Sequence, residues 1–334
     1  MTAPLVRLQG VSRRFEKPLD LAARIANLLG AHNKPVSLRA VDDVSLDVHA
    51  GEIVGLVGES GCGKSTVGRL VAGILPPSDG KVLWNGEDAA GLTAQERRAA
   101  MLSVQMIFQD PMASLNPRKR AGDIVSEAPV YHGLVAKSDR EEAVAAAFTR
   151  VGLDPSYARR FPHQFSGGQR ARIGIARALA VNPKLLVCDE SVAALDVSVQ
   201  AQVLNLFMDL AADLGLAYLF ISHDLGVVRH IADRVVIMYL GRIVEEAPTA
   251  ALFEAPAHPY TRALLDNVPR LDARRRAFST IAGEIPSPLN PPSGCHFHPR
   301  CPLAGPRCSR EAPSRSTAPH GGIVACHLNA GGVG

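Results

Sequence analysis

The chain has 334 residues, 47% of them hydrophobic and 20% charged, with a formal net charge of +4. These values are globular, so a wholly disordered, collagenous or coiled-coil chain is excluded. Apolar stretches such as Leu216–Ile221 fall far short of the roughly 18–20 residues that span a bilayer. No N-terminal segment reads as a signal peptide, so the expectation is a soluble chain that stays in the cytoplasm. The positive charge is local. Residues 260–334 hold nine Arg, no Lys and four acids, whereas the rest is close to neutral, so a uniformly basic nucleic-acid-binding surface is not indicated.

In chain order, residues 3–15 alternate as a strand, residues 16–38 read as a loop or insertion, and Val44–Val48 and Ile53–Val57 read as strands around a turn at Ala50–Gly51. A Gly-rich loop follows, then a helix from Lys64 to Leu75 stopped by Pro76 and Pro77. Residues 81–109 mix short strands with a charged helical piece and end in the apolar run Met106–Phe108. Residues 118–160 are Ala-rich and helical. Helices are expected over 167–181, 197–214 and from Leu225 to Ile231, and strands over Leu185–Cys188, Ala217–Ile221, Val235–Met238 and Ile243–Val244. Such strand–helix alternation predicts an α/β sheet. Beyond residue 250 the pattern changes: residues 286–320 carry nine of the 24 prolines. That stretch is expected to form neither helix nor sheet, and to be either disordered or pinned by a metal.

Gly58-Glu59-Ser60-Gly61-Cys62-Gly63-Lys64-Ser65 matches G-x-x-x-x-G-K-[ST], the phosphate-binding P-loop, with Thr66 next in the helix. Its glycines let backbone N–H groups converge on phosphate oxygens, and the following helix adds its N-terminal donors. Lys64 can reach the β- and γ-phosphates, and the Ser65 hydroxyl can ligate Mg²⁺. Leu185-Leu-Val-Cys-Asp189-Glu190 is an apolar strand ending in two acids. Asp189 can hold Mg²⁺ through water, and Glu190 can act as general base on the attacking water. Phe165-Ser166-Gly167-Gly168-Gln169 opens an Arg-rich helix, which makes a second anion site by the same argument.

With this third element the chain resembles the ATP-binding subunits of ABC transporters. The resemblance implies a RecA-like α/β core with an antiparallel β subdomain and a helical subdomain at about 110–165. It makes Ser166, Gly167, Gly168 and Gln169 the signature that grips the γ-phosphate held by a partner subunit. It assigns Gln109 to the Q-loop, where it contacts Mg²⁺ or water, Asp196 to the D-loop and His223 to the switch histidine. Phe15 is the candidate for stacking on adenine. Phe-Gln-Asp-Pro-Met-Ala-Ser-Leu-Asn-Pro at 108–117, the run at 188–202 and His-Pro-Tyr-Thr-Arg-Ala-Leu-Leu at 258–265 are similar to the oligopeptide/dipeptide importer ATPases. Ser191 and Phe165 depart from the residues usual in that family, Pro and Leu. The implied organisation is a nucleotide-binding domain over 1–255 and a small irregular C-terminal domain over 256–334.

Four of six cysteines lie at the C-terminal end: Cys295, Cys301, Cys308 and Cys326. In a cytosolic chain they point to metal before disulfides. Four thiolates can close a Zn²⁺ site or hold an iron–sulfur cluster, and His296, His298, His320 and His327 are nearby substitutes. The spacing leaves both open; the family resemblance implies [4Fe–4S]. It further implies ATP and Mg²⁺ as ligands, two permease subunits, a second ATPase subunit paired head to tail, and an extracytoplasmic binding protein, with the chain on the cytoplasmic face of the membrane. The competing expectation is a soluble ABC ATPase acting on DNA or ribosomes. Against it stand the single cassette and the lack of a long insertion between Gln109 and Ser166. Peptides are the expected cargo, with nickel, glutathione or other small solutes as alternatives.

Overall fold

The computed structural model describes residues 3–17, 27, 30, 36–267, 283–319 and 321–329. Strands β1 (Val6–Lys17), β2 (Val36–Val48), β4 (Asp79–Trp84) and β5 (Glu87–Asp88) form an antiparallel sheet in the order β2-β1-β4-β5. The second sheet contains β3 (Ile53–Val57), β6 (Val104–Ile107), β7 (Leu185–Asp189), β8 (Ala217–Ser222), β9 (Arg234–Tyr239), β10 (Arg242–Pro248), β11 (Ser316–Thr317) and β12 (Ile323–Val324). Its order is β11-β12-β10-β9-β3-β8-β7-β6, parallel from β6 through β9 and antiparallel beyond.

The parallel strands are buried on both faces, which is why Ile53–Val57 and Leu185–Cys188 read as unbroken apolar runs rather than alternating ones. Successive residues serve different cores. Leu219 and Ile221 pack toward helix α1 (Lys64–Val71) and the antiparallel sheet, whereas Tyr218 and Phe220 face the helices on the other side. Helix α2 (Ala94–Ser103), before β6, sends Ala100 into the core of α1 and the antiparallel sheet, whereas α3 (Pro111–Ser114), α4 (Ala121–Tyr131), α5 (Arg140–Arg150), α6 (Gly167–Leu179), α7 (Val197–Leu214) and α8 (Leu225–Ile231) follow on the Tyr218–Phe220 side. Phe148 on α5 and Phe207 on α7 are fully buried in the second core. Among the described residues, no helix is long and apolar enough to cross a membrane.

The extent of β1 and β2 corrects the sequence reading. Against the loop expected over 16–38, β1 runs to Lys17 and β2 starts at Val36, because the two strands pair as far as Lys17 with Val36; most of the expected loop lies outside the described residues. The Pro-rich end is corrected too. After α9 (Thr249–Glu254) and α10 (Pro259–Asp266), the segment from 283 returns to the core. It contributes the short strands β11 and β12, and β12 pairs with β10 through Glu245–Val324 and Glu246–Ile323. Phe297 is fully buried, its ring 5.2 Å from Tyr239 and 5.3 Å from Tyr260. The segment has no core of its own; it borrows that of the sheet.

Candidate functional site

The parallel register fixes where the motif residues emerge. Ile107 lies opposite Cys188, Asp189 opposite Ile221, and Val57 opposite Ser222. The residues just beyond these positions, Gln109, Glu190, Gly58 and His223, therefore share one edge of the sheet, at the carboxyl ends of its strands, where open α/β sheets bind ligands.

The P-loop joins β3 to α1. Gly63 has φ of 107°, and a Cβ there would lie 2.2 Å from the Ala40 carbonyl oxygen of β2, so glycine alone lets the loop pass. Helix α1 carries no side-chain cap and no acid in its first turn, which leaves its N–H groups and dipole to an anion. Lys64 is buried, and its Nζ donates to the carbonyls of Gly58 at 2.8 Å and Glu59 at 3.1 Å. The Ser65 hydroxyl donates to Asp189 Oδ1 at 2.8 Å, which brings two of the three expected Mg²⁺ ligands together. Burial, opposed by that hydroxyl and reinforced by the adjacent Glu190, lifts the Asp189 carboxyl above its ordinary range. A divalent cation would relieve this cost.

Glu190 has a left-handed backbone, with φ of 45°, and its N–H donates to the Ile221 carbonyl at 3.0 Å. Strain of this kind is held by the surrounding structure and re-aims the side chain at the end of β7. Gln109 Nε2 donates to Glu190 Oε2 at 2.9 Å, and His223 Nδ1 lies 3.6 Å from Glu190 Oε1. The three residues expected to act on water are thus gathered around one carboxylate.

The signature residues stand apart from this cluster. Ser166 caps α6: its hydroxyl accepts from the Gln169 N–H at 3.3 Å, and its own N–H donates to Gln169 Oε1 at 3.1 Å. A Cβ on Gly168 would lie 2.4 Å from Val199 Cγ1, so glycine lets the start of α6 sit against α7. Phe165 is buried with its ring edge-on to Tyr157, and so is retained as an apolar anchor. Asp196 precedes α7 without capping it through its side chain. Among the described residues, no hydrogen bond joins the signature to the P-loop. Phe15 is 36% exposed under the Arg13 guanidinium and pairs with Leu38, two positions along β2 from the Ala40 that abuts Gly63.

Two residues at the P-loop were not foreseen from sequence. The Tyr260 hydroxyl accepts from the Glu59 N–H at 3.0 Å. Arg300 Nη1 and Nη2 donate to the two Glu59 carboxylate oxygens at 2.7 and 3.1 Å. Tyr260 lies in the His-Pro-Tyr-Thr-Arg run already singled out, but nothing in that run announces a partner 201 positions upstream.

The four C-terminal cysteines are free thiols. Burial raises the Cys295 thiol to about 11, with Cys326, Cys308 and Cys301 adding to it. Cys326 and Cys301 are also raised, first by burial and then by neighbouring thiols. Among the described residues no three His, Cys, Asp or Glu side chains are gathered as a ready metal cage. One ring nitrogen of each of His296, His298 and His327 faces a carbonyl, of Leu240, Cys295 and Glu311, at 2.9–3.0 Å, which leaves the other nitrogen of each ring for a ligand. His320 lies outside the described residues.

Comparison with known proteins agrees with this geometry. Residues 41–193 match the family described as ABC transporter, and residues 244–308 match the oligopeptide/dipeptide transporter C-terminal region. The chain is 54% identical to a probable peptide ABC transporter ATP-binding protein of Sinorhizobium fredii, covering 89% of this chain and 84% of the relative. It is 50% identical to an oligopeptide transport ATP-binding protein of Bacillus subtilis, covering 87% and 90%, and 51% identical to one of Salmonella typhimurium, covering 84% and 85%. In fold it resembles an ATP-binding cassette solved as a post-hydrolysis dimer with ADP and phosphate: TM-score 0.62, 24% identity, 73% of this chain and 98% of the other.

Proposed function

The chain belongs to the ATP-binding subunits of ABC transporters, in their oligopeptide branch, and from that premise we propose how its residues divide the work of hydrolysis. It is the ATPase that powers peptide import. Gly58 to Thr66 cradle the phosphates and Lys64 neutralises them. Ser65, Asp189 and Gln109 would hold Mg²⁺, which when bound would supply charge compensation to the phosphates. Glu190 takes the proton of the attacking water, with Gln109 and His223 fixing the carboxylate and the water beside it. Phe15 offers its ring to adenine.

The observation that carries this reading is Glu190, held by Gln109 at 2.9 Å with His223 3.6 Å away, one residue past the Asp189–Ser65 pair. Its test is Glu190→Gln in the assembled transporter. Hydrolysis should fall by at least about 10²-fold, the contribution of a positioned general base. ATP binding should persist and trap a subunit dimer visible by light scattering. Normal hydrolysis in that variant would overturn the assignment.

One copy cannot close a site, because its P-loop and signature lie apart. Two ATPase subunits paired head to tail supply each other's Ser166–Gln169, and the cycle of pairing and release moves two permease subunits fed by a binding protein. The helical region at about 110–165 docks on those permeases at the cytoplasmic face of the membrane. Peptides are the cargo named for the relatives and are proposed as the cargo here.

The C-terminal cysteines are proposed as a metal centre. The donor chemistry supports this: four free thiols in one segment are enough for a thiolate-held centre, and nearby histidines keep one ring nitrogen each as substitutes. Cys295, Cys301, Cys308 and Cys326 would hold a [4Fe–4S] cluster, with Zn²⁺ as the alternative. When bound, such a centre cross-links a segment that has no core of its own.

A further inference from the structure

A carboxylate inside a phosphate-binding loop is electrostatically adverse, since Glu59 adds negative charge where the ligand brings more. The structure meets this with Arg300, which lies 241 positions away and directly before Cys301. Its side chain is 5% exposed and engages both Glu59 oxygens in the two-pronged geometry that suits guanidinium and carboxylate. Tyr239 adds a longer contact through its hydroxyl, at 3.4 Å. Arg300 Nε is left buried without a partner. On the same loop between Cys295 and Cys301, Phe297 is fixed in the Tyr239–Tyr260 aromatic cluster, and Arg242 Nη1 donates to the Gly294 carbonyl at 3.4 Å. Arg300 thus ties the cysteine segment to the P-loop, while Phe297 and the Gly294 carbonyl anchor it to β9, α10 and β10.

We propose that Arg300 is a positioning residue for ATP: it neutralises Glu59 and holds that carboxylate off the phosphates, so that seating of the four-cysteine segment sets the nucleotide affinity of the P-loop. This rests on the P-loop being the nucleotide site, which ATP binding by the unsubstituted chain tests separately.

The experiment is equilibrium binding of a fluorescent ATP analogue with Mg²⁺ to the full chain. It compares the unsubstituted protein, Arg300→Gln, Glu59→Gln and the double variant, each checked for folding by near-UV circular dichroism. Arg300→Gln should raise Kd about tenfold, within the range of ordinary site-to-site coupling. The double variant should return to within about threefold of the unsubstituted chain, because the stranded negative charge is gone. In the transporter, Arg300→Gln should raise KM for ATP with little change in kcat. A merely structural Arg300 predicts the opposite for the pair, with the double variant as weak as Arg300→Gln or weaker, and that result overturns the proposal, as does an unchanged Kd in Arg300→Gln. If Arg300→Gln fails to fold, Arg300→Lys carries the test: it keeps the charge but loses the fork, and should give an intermediate Kd that Glu59→Gln again relieves. Cys308→Ser should weaken binding in the Arg300 background and add little to Arg300→Gln; equal effects in both would overturn the link to the cysteine segment.

Discussion

At the scale of single residues, the site divides into what neighbours in sequence reveal and what they hide. Gly63, Lys64, Ser65, Asp189 and Glu190 were legible because each motif is contiguous and its chemistry depends on local backbone shape: a loop entering a helix, a strand ending in acids. The P-loop's outer support was not legible, because a tyrosine and an arginine of ordinary type acquire their role only by landing beside Glu59. Tyr260 makes the point testable. Its hydroxyl is the acceptor for the Glu59 N–H, so Tyr260→Phe keeps the ring packing and removes one bond. Thermal or urea unfolding should show a loss of about 1 kcal/mol, the net worth of a typical intramolecular hydrogen bond. No change would mean that water replaces the hydroxyl.

At the scale of elements, strands and helices with strong periodicity matched their expected spans, α7 at 197–214 and β8 among them. Helix α1 ends at Val71 rather than at the expected Leu75, before Gly73 turns to a φ of 68°, and the errors in strands fell where pairing, rather than pattern, decides. Val36 to Ala40 becomes strand by pairing with β1, and Ile323–Val324 becomes strand by meeting the edge of β10. Helix α10 shows how one element sets a pH response. It is capped by His258, whose Nδ1 accepts from the Tyr260 N–H at 3.0 Å, a bond only the neutral ring can make. Burial, with the nearby Arg262 charge, pushes the His258 pKa from 6.5 down to about 3. In the unfolded chain His258 takes up a proton near pH 6.5, whereas in the fold it does not until near pH 3. Between these values the unfolded state binds more protons, so stability is present above about 6.5 and falls on acidification by up to about 1.4 kcal/mol per pH unit. Urea midpoints between pH 7.5 and 5 should therefore decline, and His258→Asn, which keeps a capping acceptor without the titration, should decline less. Parallel slopes would show that another group sets the acid limit.

At the scale of the whole molecule, composition made the chain globular and motif order gave the cassette, but the path of the C-terminal segment had no counterpart in its residues. A Pro-rich stretch cannot build a core, and it reads as disordered unless the sheet it joins is already in view. Phe297, Arg300 and β12 tie it down at three points, independently of any metal. The proposed cluster should therefore add to, rather than create, this seating. Chain purified without oxygen should contain iron and acid-labile sulfide, both lost in Cys301→Ser, while the remaining fold survives by circular dichroism; zinc without sulfide would select the other centre. The long reach from Arg300 back to Glu59 also has a meaning in time. A ribosome adding about 5–20 residues per second needs roughly 10–50 s to pass from one to the other. During that interval the nascent P-loop carries an acid without its guanidinium, so on the proposed role of Arg300 the growing chain gains full nucleotide affinity only after that residue has been made.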